Sequence, residues 1–522
     1  MPTQLIAPRD GVTYLEHQLT GIHWMLEREA TDAPYCRGGI LADDMGLGKT
    51  FQTIGLLKNA PAEDQQATLI LCPPALVAGW TEELRACGFV PRLLSGPNRW
   101  TPRPANAGRK PSVWLTTYSK AVLYHRFLMG GPMAAVVGAT TEGRPWGRVI
   151  LDEGHVIRNG KDTSRWVHCM GIAARAQTRW ILSATPVQNS YSDWRNLCAW
   201  LHVTCDGAEM ATVGETIMLR RTMAELRKTM TDLPPTPRFH SQDLTIPVTG
   251  PTAAEGRLFR VLCDQLESVI DNAAVSALAK LELYLRIQQF LVHPQLYVES
   301  MRRKFRGAYP RPDWTATATK WTACMTEMAA GIRVEASQIV FCNFRAEMDM
   351  VSAAATGMGA TVFAIRGGMS TAAVGDTVTA ARAASAAGQP VVIIIQIVSG
   401  GAGLNLQFCT RVLFLSQHWN PAVVHQAVGR AVRIGQRSVV DIFMFRVVDS
   451  VFDNLDRRMV EVHLAKIAGA RGICETLYEG YAPLSEIPYD GDGDGDGDED
   501  EDDGVDEPGP HENEEDPTDV RV

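Results

Sequence analysis

Two series of short apolar segments run through the 522-residue chain, and each segment ends in a polar or Gly/Pro-containing turn. Segments of this length, separated by helical stretches, are typical of strands buried on both faces of a parallel sheet. The first series is Thr68 to Cys72, Ser112 to Thr116, Arg148 to Asp152 and Trp180 to Ser183, and the second begins at Gln338 and continues through Thr361 to Ile365, Val391 to Ile395 and Arg411 to Leu415. The repetition predicts two α/β lobes of the same general architecture.

The stretch between the two series has helical periodicity. Apolar residues recur at helical spacing in two groups, Leu258, Val261, Leu262 and Leu266, then Leu281, Tyr284, Leu285 and Ile287. We therefore predict an N-terminal lobe at 1–240, a helical segment between the lobes at 241–315, a C-terminal lobe at 316–475 and a tail at 476–522.

Charge divides the chain unevenly. From Asp490 onward there are 17 acidic residues and one arginine, and this composition predicts a disordered acidic tail. The remainder holds 49 basic and 42 acidic residues, a charge of +7. A mildly basic body suits a polyanionic partner, although a solvated surface would have the same charge.

Cysteine spacing and hydropathy exclude several classes of protein. The eleven cysteines include no C-x-x-C pair, which argues against a disulfide framework or zinc ribbon and favours a reducing compartment. The longest strongly apolar run, Val391 to Ile395, is too short to cross a bilayer. Residues 1–9 have no basic flank before an apolar stretch, so we expect neither a secretory signal nor a membrane partner.

The segment DDMGLGKT at residues 43–50 has the strongest local signal. Its glycines let backbone N–H groups turn inward around a phosphate, and a helix that begins there favours negative charge. Lys49 would lie beside the β- and γ-phosphates, and the Thr50 hydroxyl would bind Mg²⁺. We predict a nucleotide-binding loop, with a plain glycine-rich turn as the alternative, formed by Asp43, Met45, Gly46, Leu47, Gly48, Lys49 and Thr50. Asp43 stands where the strict phosphate-loop pattern has glycine.

A second signal is an apolar strand that ends in two carboxylates, Asp152 and Glu153. In this position Asp152 would hold Mg²⁺, usually through water, and Glu153 would polarise the attacking water. An acidic pair after a strand is common by itself. The acidic pair becomes a specific signal because it follows the nucleotide-binding segment, about 100 residues after Lys49.

The third signal is a pair of arginines far along the chain. Arg430 and Arg433 are three residues apart and would share one face of a helix. Two guanidinium groups so placed can reach a γ-phosphate across a cleft and stabilise the charge of the transition state. Surface arginines on a helix are the alternative when the pair is taken alone.

In this order the three segments resemble the SWI/SNF-type group of superfamily 2 DNA translocases, and the resemblance extends from Tyr14 to Leu455. His17-Gln18 is similar to the adenine-reading motif of that group, with Gln18 as the base reader. The other matching segments are Cys72 to Leu76 with Trp80 (motif Ia), Leu115 to Tyr118 (Ib), Leu182 to Ser190 (III), Phe341 to Arg345 (IV), Ser399 to Leu406 (V) and His418 to Ala422.

The resemblance implies two RecA-like lobes with parallel sheets, joined by the helical segment and followed by the acidic tail. It also implies an ATP hydrolase that requires ATP and Mg²⁺ and moves along double-stranded DNA, acting in remodelling of protein–DNA complexes, repair or transcription. The catalytic residues it implies are Glu153, Asp152, Arg430, Arg433 and Lys49. Expected partners are double-stranded DNA and nucleosomes or other DNA-bound proteins, with a monomeric motor. The expected site of action is the nucleus for a eukaryotic protein or a virus that acts there, and otherwise the cell interior.

Within the group, Arg148 to His155 followed by Ile157-Arg158-Asn159 is most similar to the lodestar and helicase-like transcription factor branch. Many members of that branch carry a RING finger between the lobes. Residues 188–341 hold only four cysteines, too few for two zinc sites, so we expect no RING finger. Two other functions stay open: a strand-separating DNA or RNA helicase, and a scaffold that binds DNA or protein without hydrolysing ATP.

Overall fold

The computed structural model describes residues 5–447 apart from 31–35, 62–66, 95–111, 130–145, 189, 205–209, 250–252, 271, 273, 398–403 and 417. The predicted acidic tail and the end of the C-terminal lobe lie outside the described residues. So do Ser399 to Gly403 of the segment that resembles motif V.

Within the described residues the first sheet has seven strands and the second has six, and the strands of the first are all paired in parallel. They are β1 Gly38–Leu41, β2 Thr68–Cys72, β3 Arg92–Leu93, β4 Val113–Thr117, β5 Trp146–Asp152, β6 Ala176–Leu182 and β7 Met218–Leu219. Their order across the sheet is β3-β4-β2-β5-β6-β1-β7. The four strands predicted for the first lobe are confirmed as β2, β4, β5 and β6.

The second sheet has six strands, also all parallel. They are β8 Arg238–Leu244, β9 Gln338–Cys342, β10 Thr361–Ile365, β11 Val391–Gln396, β12 Arg411–Phe414 and β13 Asp441–Val447. Their order is β10-β11-β9-β12-β13-β8. The fold class, two α/β lobes built on parallel sheets, is thereby confirmed.

Helices connect the strands of both lobes. In the first lobe they are α1 Glu16–Ala30, α2 Lys49–Asn59, α3 Val77–Ala86, α4 Tyr118–Leu123, α5 His125–Met129, α6 Ser164–Ala173, α7 Tyr191–Trp200, α8 Met210–Ile217 and α9 Met223–Arg227. Next come α10 Ala254–Ile270, α11 Ala277–Val292, α12 Pro294–Lys304 and α13 Thr319–Arg333. The second lobe adds α14 Arg345–Gly357, α15 Thr371–Ala386 and α16 Pro421–Val428.

Both faces of the first sheet are covered, which explains the continuous apolar runs of its strands. In β2, Leu69 and Leu71 pack into the core on one face, whereas Ile70 and Cys72 pack into the core on the other. All four side chains are fully buried. Alternation between two buried faces requires apolar residues at every position, and this requirement made these strands visible in the sequence.

The boundary of the second lobe differs from the sequence-based division. Strand β8 pairs with β13 from Arg238↔Asp441 to Leu244↔Val447, although it precedes the helices α10 to α13. It is an edge strand whose residues are all half-buried or exposed and mostly polar, so it lacks the apolar pattern of a central strand. The helical segment predicted at 241–315 is therefore inserted between two strands of the second sheet. Among the described residues the chain passes from one sheet to the other once, between β7 and β8.

A buried ion pair fixes helix α1 to the centre of the first sheet. Glu29 Oε1 and Oε2 accept hydrogen bonds from Arg148 Nε on β5, at 2.7 and 2.9 Å. Glu29 Oε1 also accepts from Trp180 Nε1 at 2.8 Å and Thr178 Oγ1 at 3.2 Å, both on β6. Glu29 and Arg148 are only 3% and 2% exposed. The helix that carries Gln18 is thus tied to the strand that ends in Asp152.

A buried carboxyl organises the start of the second lobe. Glu347 Oε2 accepts from the backbone N–H groups of Asn343 and Phe344 at 2.8 and 3.0 Å, and its Oε1 accepts from Ser416 Oγ at 3.1 Å. The side chain joins the end of β9 to the residues after β12. Burial raises the pKa of Glu347 to about 7, and the three hydrogen bonds oppose that shift.

We expect the stability of the second lobe to fall as pH rises from about 4.5 to about 7, because the folded state holds the Glu347 proton over this range and the unfolded state releases it. Glu347→Gln should remove this contribution, on the order of 2–3 kcal/mol, since the amide can accept from both N–H groups and donate to Ser416. Urea unfolding of both proteins at pH 5, 6 and 7.5 measures it. Parallel pH profiles for the two proteins would contradict the expectation.

Candidate active site

The predicted nucleotide-binding loop joins β1 to α2. Gly46 and Gly48 adopt left-handed backbone angles, φ 84° and 82°, which glycine tolerates and other residues rarely adopt. Helix α2 begins at Lys49, so the free N–H groups of its first turn face the loop. Lys49 Nζ donates to the carbonyl oxygens of Asp43 and Asp44, at 2.6 and 3.2 Å. The loop therefore has the form of an anion cradle with an ammonium group at its centre.

Helix α1 braces this loop from the side. His17 Nε2 lies 3.0 Å from the Leu47 carbonyl oxygen, and Gln18 Nε2 donates to the same oxygen at 3.5 Å. Gln18 Oε1 accepts from the Leu15 N–H at 3.1 Å. Both side chains are buried. Gln18 thus lies beside the loop, where the sequence places a base reader.

Two consecutive arginines after β7 hold the acidic start of the loop. Arg221 forms a two-point ion pair with Asp43, with Nε donating to Oδ1 at 2.9 Å and Nη2 to Oδ2 at 2.5 Å. Gln52 Nε2 donates to Asp43 Oδ2 at 2.9 Å. Arg220 donates to Asp44 Oδ1 at 3.0 Å and to the Ala42 carbonyl oxygen at 2.6 Å. Asp43 therefore replaces the expected glycine with a buried anchor for the loop.

The roles of Arg220 and Arg221 were missed at the sequence level. No local pattern indicates these contacts, because the two arginines lie more than 170 residues beyond the loop they bind. The one sequence feature that indicates such a contact is Asp43 itself. A carboxylate in place of a loop glycine requires a cation from elsewhere in the fold.

The carboxylates of Asp152 and Glu153 lie at the end of β5, beside Lys49. Burial raises the pKa of Asp152 to about 7, and the neighbouring Glu153 carboxylate adds to the shift. Burial also raises the pKa of Glu153, whereas Lys49 and Arg430 oppose that rise. Burial lowers the pKa of Lys49, and the Glu153 and Asp43 carboxylates counteract it. The site is a cluster of opposite charges held away from bulk water.

The backbone at Glu153 has a conformation that is uncommon for a residue with a side chain, φ 53° and ψ 46°. It starts the short 3₁₀ turn Gly154–Ile157 and directs the carboxylate into the cleft. Glu153 Oε2 is buried, and within the described part of the chain it has no hydrogen-bond partner. His155 Nδ1 lies 3.4 Å from the same oxygen, and burial lowers the pKa of His155 to about 3, so this imidazole is neutral near pH 7. A carboxylate oxygen without a hydrogen bond beside Asp152 fits a hard divalent cation such as Mg²⁺ with its bound water.

The second lobe supplies the arginines, although not from a helix. Helix α16 ends at Val428, and Arg430 and Arg433 follow in successive turns, so the expectation that they share a helix face is wrong. Gly429 is the C-cap of the helix and has an ordinary right-handed backbone, φ −63°, and a Cβ atom there would lie 3.0 Å from Met45 Cβ. Arg430 is 5% exposed and its guanidinium faces the Glu153 and Asp152 carboxylates. Burial lowers the pKa of Arg430 to about 10, still well above neutrality.

Arg433 packs directly on the nucleotide-binding loop. A Cβ atom at Gly46 would lie 2.8 Å from the Arg433 Cα, and the N–H of Ile434 donates to the Gly46 carbonyl oxygen at 3.3 Å. The two lobes therefore meet at the loop itself. The structure brings Lys49, Asp152, Glu153 and Arg430 together and places Arg433 against the loop backbone.

A second connection between the lobes runs through the segment that resembles motif III. Gln188 Nε2 donates to Thr185 Oγ1, and Gln188 Oε1 accepts from Asn420 Nδ2, both at 2.9 Å. Asn420 is the N-cap of α16, the helix that leads to Arg430. One side chain thus joins a first-lobe loop to the arginine-bearing segment.

Thr117, the Asn343 region and Ser399 to Gly403, in the segments that resemble motifs Ib, IV and V, are predicted to hold the phosphates of one DNA strand, and the structure describes them only in part. Thr117 is the N-cap of α4, and its hydroxyl accepts from the Lys120 N–H. The Asn343 N–H donates to Glu347. Ser399 to Gly403 lie outside the described residues. The structure therefore leaves the DNA contacts as predictions.

Two family models match the chain in the order of its lobes. The SNF2-related domain matches residues 17–208, and the helicase conserved C-terminal domain matches residues 322–435. Every predicted ATP-site residue lies within one of these ranges.

Relatives with similar sequences include one of almost the same length. The chain is 26% identical over 477 residues to the probable global transactivator of Orgyia pseudotsugata multicapsid polyhedrosis virus, covering 86% of this chain and 89% of the relative. It is 28% identical to transcription termination factor 2 of Drosophila melanogaster, covering 41% of this chain and 24% of the relative. It is 24% identical to the ISWI chromatin-remodeling complex ATPase CHR11 of Arabidopsis thaliana, covering 82% and 40%. The chain thus spans less than half the length of the fly and plant proteins.

Two parallel-sheet lobes that match, in order, an SNF2-related domain and a helicase conserved C-terminal domain define the class of helicase superfamily 2 ATP hydrolases, and the prediction of an ATP-hydrolysing enzyme is confirmed. Within that class, the chain belongs to the SNF2-related family of DNA-dependent ATPases. Its placement in the lodestar branch stays a prediction. In the described part of the chain no helix has both the length and the apolar character needed to cross a membrane.

Proposed function

We propose that the chain is a motor that couples ATP hydrolysis to movement along duplex DNA and so displaces or remodels proteins bound there. The observation that supports this proposal most directly is the shared site. Lys49, Asp152 and Glu153 of the first lobe face Arg430 of the second. Hydrolysis at such a site changes the charge that holds the lobes together.

In the proposed site, Gln18 reads the adenine, while the loop N–H groups and Lys49 bind the phosphates. Thr50 and Asp152 would hold Mg²⁺, which neutralises phosphate charge when bound. Glu153 orients the attacking water, and its Oε2, which accepts no hydrogen bond from the described residues, is the atom proposed for that role. Arg430 stabilises the charge that develops on the transferred phosphoryl group, and Arg433 positions the loop.

Motion follows from the way in which the lobes are joined. ATP attracts the arginine-bearing turns of the second lobe, and loss of the γ-phosphate removes that attraction. The contact between Gln188 and Asn420 would transmit the change to the start of α16. Thr117, the Asn343 region and Ser399 to Gly403 would hold the phosphates of one DNA strand. Each cycle of hydrolysis would then move these contacts by about one nucleotide. Contacts to the phosphate backbone carry little sequence information, so this movement would not depend on sequence.

The relatives support an action on protein-bound duplex DNA. One is named as a chromatin-remodeling ATPase and another as a transcription termination factor. We therefore propose nucleosomes or other DNA-bound proteins as targets, a monomeric motor, and action in the nucleus if the protein is eukaryotic or belongs to a virus that acts there. A viral relative matched over most of both chains is named as a probable global transactivator.

The test is the rate of ATP hydrolysis without nucleic acid and with duplex DNA, single-stranded DNA or RNA. We expect duplex DNA to stimulate wild-type protein most strongly. Lys49→Ala should lower the stimulated rate by at least about 100-fold, because the variant lacks the ammonium that binds the β- and γ-phosphates. Lys58→Ala is a matched control, since Lys58 lies on the same helix and donates to the carbonyl oxygens of Ala7 and Pro8.

Stimulation by single strands or RNA alone would instead favour a strand-separating helicase, and a forked duplex substrate would confirm it by release of one strand. An absence of hydrolysis under every condition would refute the motor and leave the scaffold function.

A further inference from the structure

Trp80 makes a contact that its place in the hydrophobic core does not explain. It lies on α3 and is 1% exposed, packed among residues such as Leu84 and Leu115. Its indole Nε1 donates to Asp152 Oδ2 at 2.6 Å. An aromatic ring from a helix that takes no part in the loop thus contacts the carboxylate proposed to hold the cation.

The other atoms of Asp152 are fixed as well. The Glu153 N–H donates to Oδ1 at 3.0 Å, and the Tyr118 hydroxyl donates to the Asp152 carbonyl oxygen at 2.8 Å. Each carboxylate oxygen therefore receives one hydrogen bond and keeps further lone pairs for a cation or its water. Because the two donors come from different elements, the carboxylate plane cannot rotate freely.

We propose that Trp80 is a positioning residue for ATP hydrolysis, whose indole N–H sets the orientation of the Asp152 carboxylate toward a divalent cation. Hydrogen bonds to the groups that ligate a metal fix ligand geometry, and their loss costs roughly 10–100-fold in metal affinity or activity. The same bond favours the charged form of Asp152, which burial opposes. This inference rests on the proposed cation-binding role of Asp152 and is independent of DNA movement.

The first lobe offers a matched control. Trp194 on α7 is 0% exposed, and its Nε1 is buried without a hydrogen-bond partner in the described part of the chain. Replacing either tryptophan by phenylalanine removes similar packing from the core of the same lobe. Only Trp80→Phe also removes a donor to Asp152.

The experiment measures Mn²⁺ binding by electron paramagnetic resonance in the full chain, with saturating non-hydrolysable imido-ATP. We expect Trp80→Phe to weaken Mn²⁺ binding roughly 10–100-fold and to raise the Mg²⁺ concentration for half-maximal hydrolysis in proportion. Trp194→Phe should bind Mn²⁺ like wild type. Affinity for the ATP analogue without metal should be equal in all three proteins.

Should Trp80→Phe fail to fold, benzothienylalanine at position 80 keeps the ring shape and removes only the N–H, with the same weakening expected. Mn²⁺ binding within twofold of wild type in the folded protein would overturn the proposal, as would equal weakening in both phenylalanine variants. If Asp152→Asn also binds Mn²⁺ like wild type, the assignment of Asp152 fails and the inference fails with it. Wild-type binding in Trp80→Phe alone refutes only the role of Trp80.

Discussion

Replacing Arg430 by alanine is expected to lower the kcat of ATP hydrolysis by ~10³-fold or more while changing ATP affinity only a few fold. An arginine that reaches a phosphoryl group across a cleft acts mainly on the transition state and contributes roughly 10³–10⁵-fold to the rate. In this chain Arg430 is nearly fully buried, and its Nε has no hydrogen-bond partner among the described residues. Steady-state kinetics with an independent binding measurement separates kcat from affinity.

Arg437→Ala is the matched control, because Arg437 lies in the same turn-rich stretch and is exposed. Arg430→Lys should recover little activity, since an ammonium cannot reproduce the two-point contact of a guanidinium. A loss of kcat smaller than about tenfold in Arg430→Ala would show that Arg430 does not stabilise the transition state. Arg433 would then be the next candidate.

Replacing Glu29 by alanine is expected to destabilise the first lobe by about 3–5 kcal/mol, because it removes the carboxylate that forms an ion pair with the buried Arg148 guanidinium. The change also removes the acceptor for Trp180 Nε1 and Thr178 Oγ1. Urea unfolding and amide exchange in β5 and β6 measure the effect. ATP binding should weaken as well, since α1 carries Gln18 and braces the loop.

The control is the exposed pair of Asp349 and Arg366 in the second lobe, whose side chains are 60% and 38% accessible. Asp349→Ala should change stability by less than about 1 kcal/mol, the usual range for a solvated ion pair. Equal losses in the two variants would mean that burial of the Glu29 pair adds nothing, contrary to our expectation.

Local sequence patterns predicted the parts of the fold that depend on local order. Strands buried on both faces can be recognised by continuous apolar runs, and β2 has the predicted bounds, Thr68 to Cys72. The half-buried edge strand β10 also has its predicted bounds, Thr361 to Ile365. The nucleotide-binding loop was equally visible, because its chemistry requires contiguous residues. Edge strand β8 was not, since half-exposed polar positions leave no apolar pattern.

The parts of the site that were missed depend on contacts between distant residues. Nothing near Asp43 indicates that Arg221 holds it, and nothing near Asp152 indicates the donor on Trp80. The helical expectation for Arg430 and Arg433 failed for a local reason. Gly429 ends the helix, and the pair then gains its geometry from successive turns.

The placement of β8 has a consequence for how such a chain can grow. Helices α10 to α13 begin and end within the second lobe, so a sequence inserted between β8 and β9 would not lengthen the connection between β7 and β8. In the described part of the chain, that connection is where the backbone passes from one lobe to the other. The fold therefore separates the position where evolution can insert a new domain, between β8 and β9, from the connection that joins the two lobes.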